Sequence, residues 1–306
     1  AVEPIKDQLP VWNGEMYYEY HRGTYTSQAR TKKNNRKAEL GIRQAEMLAA
    51  IARERLGTEY PYEDILNAYK IILTNQFHDI IPGSSIQAVY EDAERDYKRA
   101  FELIKKIEDS TIEKLTYPSD PSDIIVFNSL SWDRIGHVSV PLPEGYRNAA
   151  VLDEKGNVLP SSLSDGKIEF EAKVPSLGSA SFKIVEQAAP ADTPIYISKD
   201  RMENDFYRIT LDENGNLTSI YDKRNECEVL EQGRLSNLLQ IFEDKPCRET
   251  AWNIDLEYQN KGWDLIEGDV QLVEQSPIKG VVRVTKKFNL STIVQDITIY
   301  RSISRI

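Results

Sequence analysis

The chain has 306 residues, with 38 Lys and Arg against 49 Asp and Glu, a net charge of −11. Apolar residues make up 40% and charged residues 28%, the composition of a globular protein and too hydrophobic for a disordered one. No run approaches the ~18 apolar residues of a membrane span, residues 1–7 carry no signal-peptide core, and an acidic chain without a Lys/Arg run is poorly matched to nucleic-acid phosphates.

The two cysteines, Cys227 and Cys247, make no disulfide framework and read as thiols of a reducing, cytoplasmic compartment. The length allows about two domains. The first 27 residues are irregular and aromatic, with Trp12, Tyr17, Tyr18, Tyr20 and Tyr25 crowded around Gly14 and Gly23. Over residues 31–56 the pattern changes. Ala38, Ile42, Ala45, Ala49, Ala52 and Leu56 recur at alternating spacings of 4 and 3, the stripe of an amphipathic helix, with Gly57 as its stop. Pro61, Glu63 and Asp64 suit the first turn of a second helix. Ile65, Tyr69, Ile72, Leu73 and Gln76 mark its inner face, and it is predicted to end near Phe77, because Pro82-Gly83 cannot continue it. Ser84-Ser85 reads as the cap of a third helix, with Ile86, Val89, Ala93, Tyr97, Ala100 and Ile104 on one side and an end near Leu115.

Residues 117–123, with Pro118 and Pro121, read as a linker. Strand-like segments follow at 124–127, 137–140, 167–172 and 181–185, with turns at 154–157 and 164–166. A second proline-rich break covers 188–194. Beyond it, 206–211 and 217–221 flank an Asn214-Gly215 turn, and 280–284 and 296–300 are further strands. The fold class expected is multidomain, α then β: a three-helix bundle followed by antiparallel β-sandwich units. The chain ends soon after a strand, and both ends read as cuts through a larger protein.

Three histidines, His21, His78 and His137, limit any imidazole-based site. His78-Asp79 falls where the second helix gives way to Ile80-Ile81-Pro82-Gly83. Imidazole and carboxylate suit a divalent metal such as zinc, and a helix cap with a solvated carboxylate has the same pattern. No His-x-Asp pair occurs, and His137, inside an alternating strand, reads as structural. Glu15 sits among Trp12, Tyr17 and Tyr18, where desolvation can raise a carboxyl pKa as a general acid requires. A surface glutamate after a turn fits the same residues. Residues 21–27 carry donors and acceptors suited to sugar hydroxyls, or to a loop that positions the first helix. Asn216-Leu217-Thr218 and Asn289-Leu290-Ser291 match the short N-glycosylation pattern.

Residues 12–29, from Trp12-Asn13-Gly14-Glu15 through His21-Arg22-Gly23-Thr24-Tyr25-Thr26-Ser27, resemble the end of the catalytic domain of glycoside hydrolase family 38 α-mannosidases, closest to the bacterial and cytosolic branch. Asn75-Gln76-Phe77-His78-Asp79-Ile80-Ile81-Pro82-Gly83-Ser84-Ser85-Ile86 resembles the hallmark of that family's helical middle domain, and Glu203-Asn204-Asp205-Phe206-Tyr207 the start of its large C-terminal β domain. The resemblance implies residues 1–29 as the end of the catalytic α/β domain, 30–117 as the middle domain, 123–187 as a small β domain and 196–306 as the start of the β-sandwich domain. It implies a retaining enzyme acting on terminal α-mannosides of oligosaccharides, with His78 as a metal ligand, a divalent metal such as zinc as cofactor, and Asp79, Tyr25 and Arg22 holding substrate. Glu15 matches the region of the acid/base carboxylate, where other branches have Asp. The nucleophile and the remaining metal ligands belong to the family's N-terminal domain, expected before Ala1, so the chain alone is expected to be inactive. No nucleic acid or membrane partner is implied, and a homo-oligomer is left open. A non-catalytic scaffold or carbohydrate-binding module is the alternative.

Overall fold

The computed structural model describes residues 3–14, 21–116, 120–190 and 192–306. Glu15, Tyr17, Tyr18, Tyr20 and residues 117–119 of the linker lie outside the described residues. The chain divides into two compact units, residues 1–109 with 243–261, and residues 110–242 with 262–306.

The first unit is built on helices α1 (Ala29–Leu56), α2 (Tyr62–Asn75) and α3 (Gln87–Leu115), the last running on into the second unit. The predicted stop is observed: Gly57, at φ 66°, turns left-handed and donates its N–H to Arg53 O at 2.9 Å, the conformation that glycine adopts at least cost. Ala38, Ile42, Ala45, Ala49, Ile65, Ala68, Ile72, Tyr97, Ala100, Ile104 and Ile107 form one buried core. The small residues on α1 let its neighbours approach closely. Four expected positions are corrected. Leu56, the end of the predicted α1 stripe, is 44% exposed in the last turn of the helix. Leu73 is 60% exposed and Asn75 takes the inner place, because the stripe Ile65, Ala68, Ile72, Asn75 keeps the 3-4-3 spacing and Leu73 lies ~100° away. Ile86 is 73% exposed, since α3 begins one residue later. Ser85 is not a cap: its hydroxyl donates to Asp79 O at 2.5 Å and its N–H to the Tyr90 hydroxyl at 2.8 Å.

The second unit opens with β1 (Asp123–Phe127), β2 (Arg134–Pro141), β3 (Ala150–Leu152), β4 (Val158–Leu159), β5 (Ser161–Ser164), β6 (Lys167–Val174) and β7 (Ser179–Val185). They form two antiparallel sheets, ordered β1-β7-β3-β4 and β2-β6-β5, closed over Val151, Ile168, Phe170, Phe182 and Ile184. Strand β6 shows why: Ile168, Phe170, Ala172 and Val174 are buried at every second position, as a strand with one face on a core must be.

Next come β8 (Tyr196–Ile197), β9 (Arg201–Glu203), β10 (Tyr207–Leu211), β11 (Leu217–Asp222), β12 (Cys227–Glu228), β13 (Leu239–Phe242), β14 (Gly262–Leu265), β15 (Asp269–Gln275), β16 (Lys279–Phe288) and β17 (Ser291–Tyr300). The sheets β12-β11-β10-β9-β8 and β15-β16-β17 share a core of Ile197, Met202, Ile209, Leu217, Val282, Val284 and Ile299. The Asn214-Gly215 turn joins β10 to β11 as expected. Lys286 is buried and donates to Asn216 Oδ1, Leu265 O and Ile266 O at 2.5–3.0 Å. All three donors of its ammonium are thereby used. The same contact buries Asn216 completely, so of the two glycosylation patterns only Asn289, exposed between β16 and β17, is reachable in the folded chain.

Charges tie the two β layers together. Lys279 lies 2.6 Å from Glu169 and 3.2 Å from Glu274, and His137 lies 3.5 Å from Glu169 with its ring 5.7 Å from that of Tyr300. His137 is a bracket between strands. Glu203 ends β9 beside Lys223 at 2.8 Å, Arg208 at 3.5 Å and Arg201. Burial pushes its carboxyl up, and the hydrogen bonds from Lys223 and Arg201 outweigh that and hold it at about 2. A carboxylate with a folded pKa below its unfolded value stabilises the native state above the unfolded pKa and loses that contribution as pH falls through the folded one. Stability measured by denaturant is therefore expected to fall between about pH 4.5 and 2, and Glu203→Gln to flatten that part of the curve. An unchanged slope in the variant would show that Glu203 contributes nothing to it.

Candidate functional site

The segment 75–86 is anchored by its first two residues and presents the next three. Asn75 is buried and donates to Ile71 O at 3.0 Å and Asp96 Oδ2 at 3.2 Å. Gln76 donates to Asn35 Oδ1 and Glu39 Oε1, both at 3.0 Å, and the Tyr97 hydroxyl donates to Asn35 Oδ1 at 3.2 Å. Burial first, then the nearby Glu39 and Asp96 carboxylates, push the Tyr97 phenol up to about 12, so it stays a neutral donor. This network closes the end of the bundle where α2 stops. With their neighbours fixed, Phe77, His78 and Asp79 face solvent: Phe77 is 51% exposed, and the side chains of His78 and Asp79 are 78% and 52% exposed. His78 Nε2 lies 3.6 Å from Asp79 Oδ2, and its ring packs on Phe77 at 4.3 Å.

Arg22 precedes, and Tyr25 ends, a short 3-10 turn, Gly23–Tyr25, with Tyr25 63% exposed. That turn is held by a segment distant in sequence. Gly23 donates its N–H to Trp252 O at 2.8 Å, Ser27 Oγ donates to Ala251 O at 2.8 Å, and the rings of His21 and Trp252 meet edge to face at 5.3 Å. A Cβ on Gly23 would stand 3.0 Å from the Trp252 carbonyl carbon, so a side chain there would push the two backbones apart by a few tenths of an ångström.

The two segments also meet each other. Lys32, on the first turn of α1, donates to Ser27 O at 2.5 Å and to Ile81 O at 2.7 Å. Gly83 adopts φ 89°, and a Cβ there would lie 2.5 Å from Ser27 O. The structure thus joins, through their backbones, the turn that carries Arg22 and Tyr25 and the loop that carries His78 and Asp79. Glu15 lies outside the described residues. Sequence reasoning missed Lys32 and the turn at 249–253. A lysine that binds main-chain carbonyls leaves no side-chain pattern, and the 249–253 turn is more than 220 residues away.

Among the described residues, no group of three or more His, Cys, Asp and Glu is placed to hold a metal ion. His78 and Asp79 are the right donor types for a divalent ion. They are two donors, and a structural or catalytic ion of this class takes at least four ligands. Two donors alone do not make a metal site. Among the described residues no helix is long and apolar enough to cross a membrane.

Comparison with known proteins gives these segments a context. Residues 19–115 match the alpha mannosidase middle domain, and residues 202–306 match the glycosyl hydrolases family 38 C-terminal domain. Alpha-mannosidase 2C1 of Homo sapiens is 28% identical over 83% of this chain and 23% of its own length. Alpha-mannosidase G of Dictyostelium discoideum is 27% identical over 92% of this chain and 29% of its own length. The chain therefore spans about a quarter of the curated relatives it matches. A solved structure described as a protein in the glycosyl hydrolase family 38 from Enterococcus faecalis superposes with a TM-score of 0.71 at 19% identity, covering 99% of this chain and 45% of that one, which shows a common fold. Both matched domains are parts of one enzyme family and together take in about two thirds of the residues, with the helical bundle in one and the larger β-sandwich in the other: the chain belongs to glycosyl hydrolase family 38.

Proposed function

We propose that this chain is the middle and β-rich portion of a retaining α-mannosidase that removes terminal α-mannose from oligosaccharides. The observation that carries the reading is the paired exposure of His78 and Asp79 on a loop clamped to the Arg22–Tyr25 turn, in a chain of this family. Residues 1–29 would complete a catalytic α/β domain, 30–117 form the middle domain, and 123–187 and 196–306 form the β domains.

In a retaining mechanism one carboxylate attacks the sugar while a second carboxyl protonates the leaving oxygen. Glu15 is the proton donor in this reading, and the nucleophile comes from a domain outside this chain. Asp79 accepts hydrogen bonds from mannose hydroxyls, while Arg22 and Tyr25 donate to them. His78 would be one ligand of a divalent ion, zinc by donor chemistry, with the missing ligands supplied by that other domain. Such an ion acts as a template for the sugar and stabilises charge. The exposed, unpaired thiols of Cys227 and Cys247 favour a reducing, cytoplasmic setting.

The test is an assay with an aryl α-mannoside. The full-length protein is expected to hydrolyse it, and residues 1–306 alone are not, because one carboxylate of the pair is absent. Turnover by the pure chain would refute the division of labour. A full-length protein that binds mannose oligosaccharides without cleaving them would instead identify a carbohydrate-binding scaffold.

A further inference from the structure

Two loops that must present groups to one sugar need a fixed relative placement, and backbone segments do not supply it unless something bonds them together. The turn at 21–28 and the loop at 77–85 lie on either side of Lys32. Its ammonium takes one carbonyl from each, Ser27 O at 2.5 Å and Ile81 O at 2.7 Å. A compact ammonium with three donors suits two converging carbonyls. The side chain is half-buried, and burial pushes its pKa down. At Gly83 even a methyl group would collide with Ser27 O, so the two backbones meet directly beside the bridge.

We propose that Lys32 is a positioning residue for the reaction: it clamps the loop bearing His78 and Asp79 to the turn bearing Arg22 and Tyr25, and holds both sets of groups at one spacing without touching substrate. This rests on the mannosidase reading above. Lys32→Met keeps most of the stem and removes the donors, so both carbonyls lose their bridge. Lys32→Arg keeps charge and donors.

In the full-length protein, Lys32→Met is expected to lower kcat/KM on an aryl α-mannoside by roughly 10–100-fold, the scale of a displacement of about 1 Å in a site. The loss should fall mainly on kcat. Amide hydrogen exchange is expected to speed up at 77–85 while the centre of α2 stays protected, and Lys32→Arg should recover most of both. Wild-type kinetics and wild-type exchange in Lys32→Met would overturn the proposal. Faster exchange spread evenly over the bundle would overturn it too, because it marks a general loss of stability. Absence of mannosidase activity in the wild-type protein would defeat the functional reading instead, and the exchange pattern would still decide whether the clamp exists.

Discussion

Glu15→Gln in the full-length enzyme is expected to slow hydrolysis of natural mannose disaccharides by roughly 10²–10⁴-fold, the usual contribution of a positioned general acid. The substitution keeps size and hydrogen bonding and removes the proton. How much the proton matters depends on the leaving group: a sugar alkoxide needs it, and an activated aryl oxide leaves almost without it. A substrate with an activated aryl group should therefore be affected far less in the glycosylation step. The alkaline limb of the pH–rate profile, which reports ionisation of the acid, should vanish with it. If Glu15 only braces the aromatic segment around Trp12, both substrates will lose activity in parallel through misplacement, with the alkaline limb intact. That result would end the assignment and move the search to Glu19.

The second large effect concerns His78. Its side chain is 78% exposed, so His78→Ala opens no core cavity, and a surface change of this kind alters stability by about 0.5 kcal/mol or less. Thermal unfolding should be nearly unchanged. Metal affinity should not be: loss of even an outer-shell partner costs roughly 10–100-fold, and a direct ligand at least as much. The variant, dialysed and measured for bound zinc, is expected to be metal-depleted, with most activity lost and partly regained at high metal concentration. A full metal complement with a near-normal rate would make His78 an ordinary residue at a helix end.

The bundle was legible in the sequence because burial along a helix has a period, and the alternation on α1 from Ala38 to Ala52 could belong to nothing else. The stretches where that reading slipped have a common cause. Leu73 and Ile86 are apolar residues at helix ends beside the 77–85 loop, where hydrophobicity alone assigns them inward and geometry turns them out. Strands of two to four residues such as β4, β8 and β12 are too short to show alternation. In the candidate site, His78 and Asp79 were visible as residue types in a motif. The contacts that place them were not. Asn75 and Gln76 were visible as the start of that motif, and Gln76 as an inner-face residue, but nothing in the sequence named Asn35, Glu39 and Asp96 as the partners that fix the loop. Asn204, in the third motif, serves packing: buried, it donates to Tyr300 O at 2.8 Å and accepts from the N–H groups of Phe206 and Tyr207.

The turn at 249–253 gives the chain a timetable. Ser27 and Ala251 are 224 residues apart, and at 5–20 residues per second a ribosome needs roughly 10–45 s to pass from one to the other. Throughout that interval α1, α2 and α3 can assemble, since their contacts are local in sequence. Gly23 and Ser27 must wait for their acceptors. The turn that carries Arg22 and Tyr25 is thus the last piece of the helical unit to be locked, and it is locked by chain synthesised after the small β domain. A message broken anywhere between the end of α3 and residue 249 would yield a folded bundle whose Arg22–Tyr25 turn never receives its second anchor.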